Sequence, residues 1–353
     1  MVSLIREFVF QEVDVVKVNE FDLTDDLFEE SGKVFEEKSI TDRPSSTFMK
    51  DSWIRLRKNK GAFTGLVLII LIMLLSVFGP YMNSHGFDEQ DLTRTNLPPK
   101  IPVLENLSFL GVNGVDIRGT DQYAAKDVTE YYWFGTDDLG RDLWTRIWQG
   151  TRISLYIAFL AATLDLVIGV AYGSISAYYG GRIDNAMQRI IEVLMGIPNL
   201  IVVILLILIL KPGILSITLA MVITGWVSMA RIVRGQVLKL KGQEFVLASR
   251  TLGARDKNLI WGHLIPNSLG PIIITTMFTI PTAIFTEAFL SFIGLGLQPP
   301  IASLGMIVND GFKMLKIYPH MLMFSSVIIS VIMISFNLLG DGLRDSFDPK
   351  MKK

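Results

Sequence analysis

The chain is organised as long apolar runs separated by polar connections. Six of these runs approach the roughly 20 apolar residues that a helix needs to cross the hydrocarbon core of a bilayer. The pattern therefore predicts six transmembrane helices in an all-α polytopic membrane protein. The predicted spans cover residues 61–81, 153–178, 190–210, 214–233, 271–294 and 321–339.

Charge patterning predicts the orientation of these spans. The basic segment WIRLRKNK at 53–60 precedes the first span, and acidic residues at 88–91 follow it. Basic loops favour the cytoplasmic side of a membrane. The N-terminus is therefore predicted to be cytoplasmic, and six spans return the C-terminus to the same side in the bacterial cytoplasmic membrane.

This topology divides the chain into five parts. The polar segment after the first span is either a small extracytoplasmic cap or a meandering loop, and the sequence does not choose between them. The acid-leaning first 50 residues indicate no specific role. The predicted parts are a cytoplasmic tail at 1–60, the first span at 61–81, the extracytoplasmic segment at 82–150, a five-helix core at 151–341 and a cytoplasmic tail at 342–353.

Composition agrees with a membrane protein and argues against several other classes. The chain is 50% hydrophobic and 19% charged, which is unusual for a soluble protein. A net charge of −1 indicates no nucleic-acid partner, and the absence of cysteine excludes disulfides and thiolate sites. Its three histidines are widely spaced and form no metal-ligand cluster. No catalytic, cofactor or metal site is predicted.

One connection, at 236–268, has helical order of its own. Four of its residues recur at three- and four-residue spacing and therefore share one helix face: Phe245, Ala248, Ser249 and Leu252. Gly253 suits the position after a helix end, where a positive φ is tolerated. A second helix is predicted at 256–263, with Pro266 ending it. The loop is basic and predicted to be cytoplasmic, either as a docking device or as an ordinary surface loop.

The residues Ala248-Ser249, Gly253 and Ile265-Pro266 resemble the loop signature of ATP-binding-cassette (ABC) importer permeases. In that family the loop enters a groove on a cytoplasmic ATPase. The usual signature has an acid directly before two small residues, whereas here Leu247 takes that place. The resemblance implies an ATPase-coupling role for six residues: Glu244, Ala248, Ser249, Gly253, Ile265 and Pro266.

Six further sequence strings restrict the resemblance to one group of permeases. They are similar to oligopeptide and dipeptide permeases of the C type and follow the same order over residues 134–349. This likeness implies the type I ABC importer permease fold, a five-helix core behind one peripheral helix. From its own residues, the stretch at 143–150 is expected to form a Trp-bearing amphipathic helix at the membrane surface. The strings are FGTDDLGRD, YYGGRID, IPNL, TGWVSMARIVRGQVL, TEAFLSFIGLGLQPP and NLLGDGLRDSFDP.

The resemblance implies a subunit that imports oligopeptides or dipeptides with four partners. These are a second permease in a heterodimer, two cytoplasmic ATPases that bind ATP and Mg, and an extracytoplasmic peptide-binding protein. The chain should not hydrolyse ATP itself, because Ser31-Gly32-Lys33 lacks the upstream glycine of a phosphate-binding loop. Nickel or another small solute is an alternative cargo. A gradient-driven transporter is a weaker alternative, and no motif supports a membrane enzyme.

Two acids fall inside predicted spans. A charged group in a span costs about 2.5–3.5 kcal/mol on insertion scales and usually faces protein or water. Asp165 and Glu287 are therefore candidates either for the translocation path or for pairing between helices. Arg231 and Arg234 are interpreted as anchors at the inner membrane surface. Gly169 and Gly173 are expected to allow close helix packing within one chain.

Overall fold

The computed structural model describes residues 48–102, 104–106 and 111–347. The first 47 residues of the predicted N-terminal tail and the C-terminal tail from residue 348 lie outside these ranges. Within them the chain consists of α-helices joined by turns, with only isolated β-bridges. The helices are α1 (Phe48–Lys58), α2 (Lys60–Phe78), α3 (Gln122–Ala125), α4 (Leu143–Tyr179), α5 (Gly181–Gly196), α6 (Asn199–Leu210), α7 (Ile214–Leu240), α8 (Glu244–Thr251), α9 (Asp256–Leu259), α10 (Ile265–Asn267), α11 (Leu269–Phe292), α12 (Leu304–Met314) and α13 (His320–Phe347).

Five of these helices are long and apolar enough to cross a membrane: α2, α4, α7, α11 and α13. The predicted third span differs, because α5 and α6 meet at an angle of 82°. The prediction of one span at 190–210 was therefore wrong in detail. α6 has 12 residues, about 18 Å of helix, which is shorter than a bilayer core of about 30 Å. A sixth span exists only if the bent pair is counted as one.

The cause of the bend is the Ile197-Pro198 step. A proline ring disfavours helical backbone in the residue before it. Ile197 accordingly takes φ −93° and ψ 122°, which ends α5. The next helix begins at Asn199. A single span at 190–210 was predicted because the apolar run continues across this step.

α4 also differs from the prediction. A separate surface helix followed by a span from residue 153 was expected, but one helix of 37 residues runs from Leu143 to Tyr179. Asp142 caps it by accepting a hydrogen bond from the Thr145 N–H at 2.9 Å. Leu143, Ile147 and Trp148 are buried rather than lying on a membrane surface. Packing within the chain explains this, since Trp144 Nε1 donates to the Gly79 carbonyl oxygen at 2.9 Å.

The segment between α2 and α4 is packed. Leu97, Tyr123 and Tyr132 are buried together in a small cluster of their own. The Tyr123 hydroxyl donates to the Pro98 carbonyl oxygen at 3.0 Å, and burial raises the pKa of this phenol above its usual value. These contacts favour a folded cap over a meandering loop.

Helices α4 and α7 form the centre of the bundle and approach each other at two glycines. A Cβ on Gly169 would lie 2.6 Å from the Met229 Cβ, and one on Gly173 would overlap the Ala230 carbonyl oxygen. The expectation of close packing within one chain is confirmed. The loop at 236–268 packs at one end of these two helices, and a cavity lies between them. The packing of α4 against α7 therefore determines how the loop is connected to the cavity.

Gly173→Ala should lower stability because the new methyl group meets backbone that cannot move away without separating α4 from α7. We expect a loss of about 1–3 kcal/mol, read as a lower thermal midpoint of the purified permease in detergent. Gly235→Ala is the matched control, since Gly235 lies within α7, the helix that Gly173 contacts, but a methyl group there would meet no atom of another element within 4 Å. A similar midpoint for both variants would contradict the packing argument.

Candidate coupling loop and membrane cavity

The loop between α7 and α11 begins with α8. Glu244 lies in its first turn, and the helix ends at Thr251. Gly253 follows with φ +83°, a conformation that residues with a Cβ seldom adopt. The predicted position and conformation of Gly253 are confirmed. The next helix, α9, begins at Asp256.

The second half of the loop was predicted incorrectly. α9 covers only Asp256–Leu259, and the helical path continues as a π-helical turn at Ile260–Leu264 and as α10 through Pro266 to Asn267. Pro266 does not end the run, because it lies in the first turn of α10, where a missing N–H leaves no hydrogen bond unmade. The π-helical turn at Ile260–Leu264 is wider than an α-helical turn, so it shifts the register of the helix before Pro266.

The loop has a buried face and an exposed face. The buried face packs onto the ends of α4 and α7 nearest the loop and consists of Val246, Leu259, Ile260, Leu264 and Ile265. The exposed face carries large apolar side chains, and Leu252 is 88% exposed. Phe245, Leu247 and Trp261 are exposed with it. Large exposed apolar side chains are typical of surfaces that bind a partner.

The predicted coupling residues fall on both faces. Glu244, Ala248, Gly253 and Pro266 are exposed, and Ser249 is half-buried. Ile265 is buried, so it holds the loop against the bundle instead of facing a partner. The remaining five share the accessible side of the loop.

Hydrogen bonds attach the loop to the end of α4. The Tyr178 hydroxyl donates to Asp256 Oδ1 at 2.5 Å, and Lys241 Nζ donates to the Ala177 carbonyl oxygen at 2.8 Å. Neither hydrogen bond was predicted from the sequence. No local pattern could have shown them, since the pairs are 78 and 64 residues apart in sequence.

Arg234 has a different environment from the predicted surface anchor. Its Nε and Nη2 atoms donate to the two Asp184 carboxylate oxygens at 2.7 Å each. Ser176 Oγ donates to Asp184 Oδ1 at 2.5 Å. This bidentate pair joins α5 to α7, and Ser176 adds α4. Arg231 is exposed, with Nη1 3.6 Å from the Met195 sulfur.

A cavity of about 400 Å³ lies among α4, α6, α7 and α11. Asp165 lines it from α4 and is only 5% exposed. Its Oδ1 atom has no hydrogen-bond partner among the described residues. The remaining wall carries many hydroxyl groups, chiefly threonines of α11.

Glu287 was grouped with Asp165 but has a different environment. It is fully buried, at 0% exposure, and lies outside the cavity lining. Ser154 Oγ donates to its Oε2 at 2.7 Å and Ser291 Oγ to its Oε1 at 2.8 Å. Ser154 belongs to α4, so Glu287 has the contacts of a group that ties α4 to α11.

The FGTDDLGRD motif forms the junction between the cap and α4. Asp137 Oδ2 accepts from Arg141 Nε at 2.7 Å and lies 3.3 Å from Arg146 Nε. All three side chains are buried. Gly140 has φ +74°, and a Cβ there would overlap the Asp91 carbonyl oxygen. The motif therefore holds the cap against the start of α4.

Comparison with known proteins identifies the family. The family described as "Binding-protein-dependent transport system inner membrane component" matches residues 169–353. This chain belongs to that family of ABC importer permeases. A second family, "N-terminal TM domain of oligopeptide transport permease C", matches residues 47–99.

This permease is similar to several transport subunits of known systems. The oligopeptide transport system permease protein OppC of Bacillus subtilis (strain 168) is 46% identical over 311 residues, with 88% of this chain and 92% of the relative covered. The dipeptide transport system permease protein DppC of the same organism is 46% identical over 312 residues, with 88% of each chain covered. Among solved structures, the inward-facing MetNI methionine ABC transporter covers 56% of this permease and 95% of its own chain, with a TM-score of 0.47 and 20% identity.

Family membership confirms the predicted fold class, an all-α polytopic membrane protein of the type I ABC importer permease class. The permease is integral to a membrane. Its relatives are permease subunits of transporters, so it is a transport subunit and not an enzyme. ABC importer permeases work with ATPases and a substrate-binding protein, and this permease shares that dependence.

Proposed function

We propose that this permease moves oligopeptides or dipeptides across the bacterial cytoplasmic membrane, with both termini cytoplasmic. The observation that carries the proposal is the loop between α7 and α11. Its buried face packs on the helices that border the cavity, and its exposed face carries large apolar side chains. The names of its 46% identical relatives support a peptide cargo over nickel or another small solute.

The proposed assembly has four other subunits. A second permease forms a heterodimer with this one, two cytoplasmic ATPases bind ATP and Mg, and an extracytoplasmic peptide-binding protein delivers the cargo. This chain holds no cofactor in the proposal. The coupling contacts are Glu244, Ala248, Ser249, Gly253 and Pro266 on the accessible side of the loop, with Ile265 supporting them from the buried side.

The geometry supports a route from the loop to the cavity. A shift of the ATPases moves the loop, and the Tyr178–Asp256 and Lys241–Ala177 hydrogen bonds pass that shift to α4 and α7. These helices are closely packed and move together, which changes the cavity among α4, α7 and α11. ATP binding thus biases an equilibrium between two arrangements.

A competition experiment tests the cargo. We expect the assembled importer in proteoliposomes to accumulate a labelled tripeptide when ATP and Mg are supplied to the ATPases. Excess unlabelled dipeptide or oligopeptide should abolish this accumulation, and free or chelated nickel should leave it unchanged. Accumulation of nickel in the absence of peptide uptake would reassign the cargo to the metal.

A further inference from the structure

Asp165 is a buried acid without the partners that a structural acid has. It lies in α4, 5% exposed, and its Oδ1 accepts no hydrogen bond from any described residue. Glu287, on a neighbouring helix, has both carboxyl oxygens satisfied by serines. A buried carboxyl group that lacks a partner is unfavourable. A ligand bound in the adjoining cavity would supply the missing partner.

The helix opposite Asp165 leaves room for this carboxyl group. A Cβ at Gly225 in α7 would overlap Asp165 Oδ2 and lie 2.7 Å from Oδ1. Any residue other than glycine at position 225 would therefore displace the acid. The glycine of α7 thus lies directly beside the carboxyl group of α4.

The α11 wall of the same cavity is rich in hydrogen-bond acceptors. It carries four threonines, and each hydroxyl donates to a carbonyl oxygen four residues earlier in its own helix. The proton of each hydroxyl is thereby used, and only oxygen lone pairs are left for a ligand. The four are Thr275, Thr279, Thr282 and Thr286, with donor–acceptor distances of 2.8, 3.0, 2.9 and 2.8 Å.

An acidic group and a row of acceptors call for a ligand that supplies donors and positive charge. A metal ion is disfavoured, because no group of three His, Cys, Asp or Glu residues within the described ranges could hold one. An organic ammonium needs only one carboxylate and a few acceptors. A peptide in zwitterionic form offers one ammonium at its amino terminus and N–H groups along its backbone. The volume of about 400 Å³ is within the usual range for small-ligand sites.

We propose that this cavity binds the cargo peptide, with Asp165 as the counter-ion of its terminal ammonium and the α11 threonine hydroxyls accepting from its N–H groups. The inference rests on the proposed peptide cargo and adds a recognition site within the membrane to that function. Gly225 is a positioning residue, since it acts only by leaving space for the Asp165 carboxyl group.

The test compares trialanine with N-acetyl-trialanine, which lacks the ammonium group. Binding of each peptide is measured on the purified permease pair with its ATPases, without the binding protein, so that delivery does not select between them. Asp165→Asn should weaken trialanine binding by about ten- to a hundredfold, the range for a hydrogen bond to a charged group. Binding of the acetylated peptide should be weak in the wild type and unchanged in the variant.

Asp341→Asn is the matched control, because Asp341 is an exposed acid of α13 outside the cavity. It should leave both peptides unaffected. Equal losses for both peptides in Asp165→Asn, or no loss for either, would overturn the proposal. An N-acetylated peptide with a lysine side chain that binds as well as trialanine would also overturn the assignment to the amino terminus.

A second variant covers the case in which Asp165→Asn does not fold. Gly225→Ala keeps the charge but displaces the carboxyl group, so it too should weaken trialanine binding selectively.

Uptake by the assembled importer distinguishes a wrong binding site from a wrong function. A wild-type importer that accumulates no peptide contradicts the function, whereas one that accumulates peptide equally well with Asp165→Asn contradicts only the site.

Discussion

Leu252→Asp should lower ATP-driven peptide uptake by the assembled importer at least about thirtyfold. Leu252 is 88% exposed in this chain, so the substitution removes no packing within the permease. An apolar anchor buried at an interface contributes about 2 kcal/mol or more, and a carboxylate in its place adds a cost of desolvation. The measurement is uptake in proteoliposomes, together with recovery of the ATPases with the purified permease.

Leu92→Asp is the control for this prediction. Leu92 is an apolar residue of the cap with 72% exposure, and it lies far along the chain from the loop. We expect normal uptake and normal ATPase recovery for this variant. Equal losses in the two variants, or full uptake by Leu252→Asp, would show that the apolar face of the loop does not bind the ATPases.

Arg234→Gln should destabilise the permease by about 1–3 kcal/mol, because it leaves the buried Asp184 carboxylate without its cation. The two 2.7 Å hydrogen bonds to Asp184 are lost, and Ser176 remains its donor. The measurement is the thermal midpoint in detergent. Arg189→Gln is the control, since Arg189 forms a 2.6 Å pair with Glu192 but its side chain is 81% exposed; surface pairs contribute little.

A double-mutant cycle separates the ion pair from general damage at this position. If the pair is responsible, Arg234→Gln combined with Asp184→Asn should lose less stability than the sum of the two single variants. Strictly additive losses would mean that the two side chains act independently. The pair would then have no part in joining α5 to α7.

Features with a local cause could be predicted from the sequence. The apolar runs indicated the spans, because burial in lipid needs a length that can be counted. Gly253 was predicted correctly because a reversal after a helix favours a residue without a Cβ. The helical order of α8 followed from three- and four-residue spacing. Each of these features depends on residues within a few positions of one another.

Features that depend on distant residues could not be predicted. Asp165 and Glu287 look alike in the sequence, and only the fold shows that serines of α4 and α11 satisfy one of them. Arg234 was interpreted as a surface anchor because Asp184 lies 50 residues away. The error at residues 143–150 has the same origin, since contact with the distant Gly79 holds this stretch inside the protein. The error at Pro266 has a local cause, because this proline lies in the first turn of α10.

We propose that ATP hydrolysis in a partner drives this permease through the loop between α7 and α11. The most direct test is flux in liposomes that contain the permease pair and the binding protein, with and without the ATPases. We predict no peptide flux under a proton or sodium gradient alone, and accumulation once the ATPases, ATP and Mg are present. Flux driven by either ion gradient in liposomes without ATPases would contradict the account.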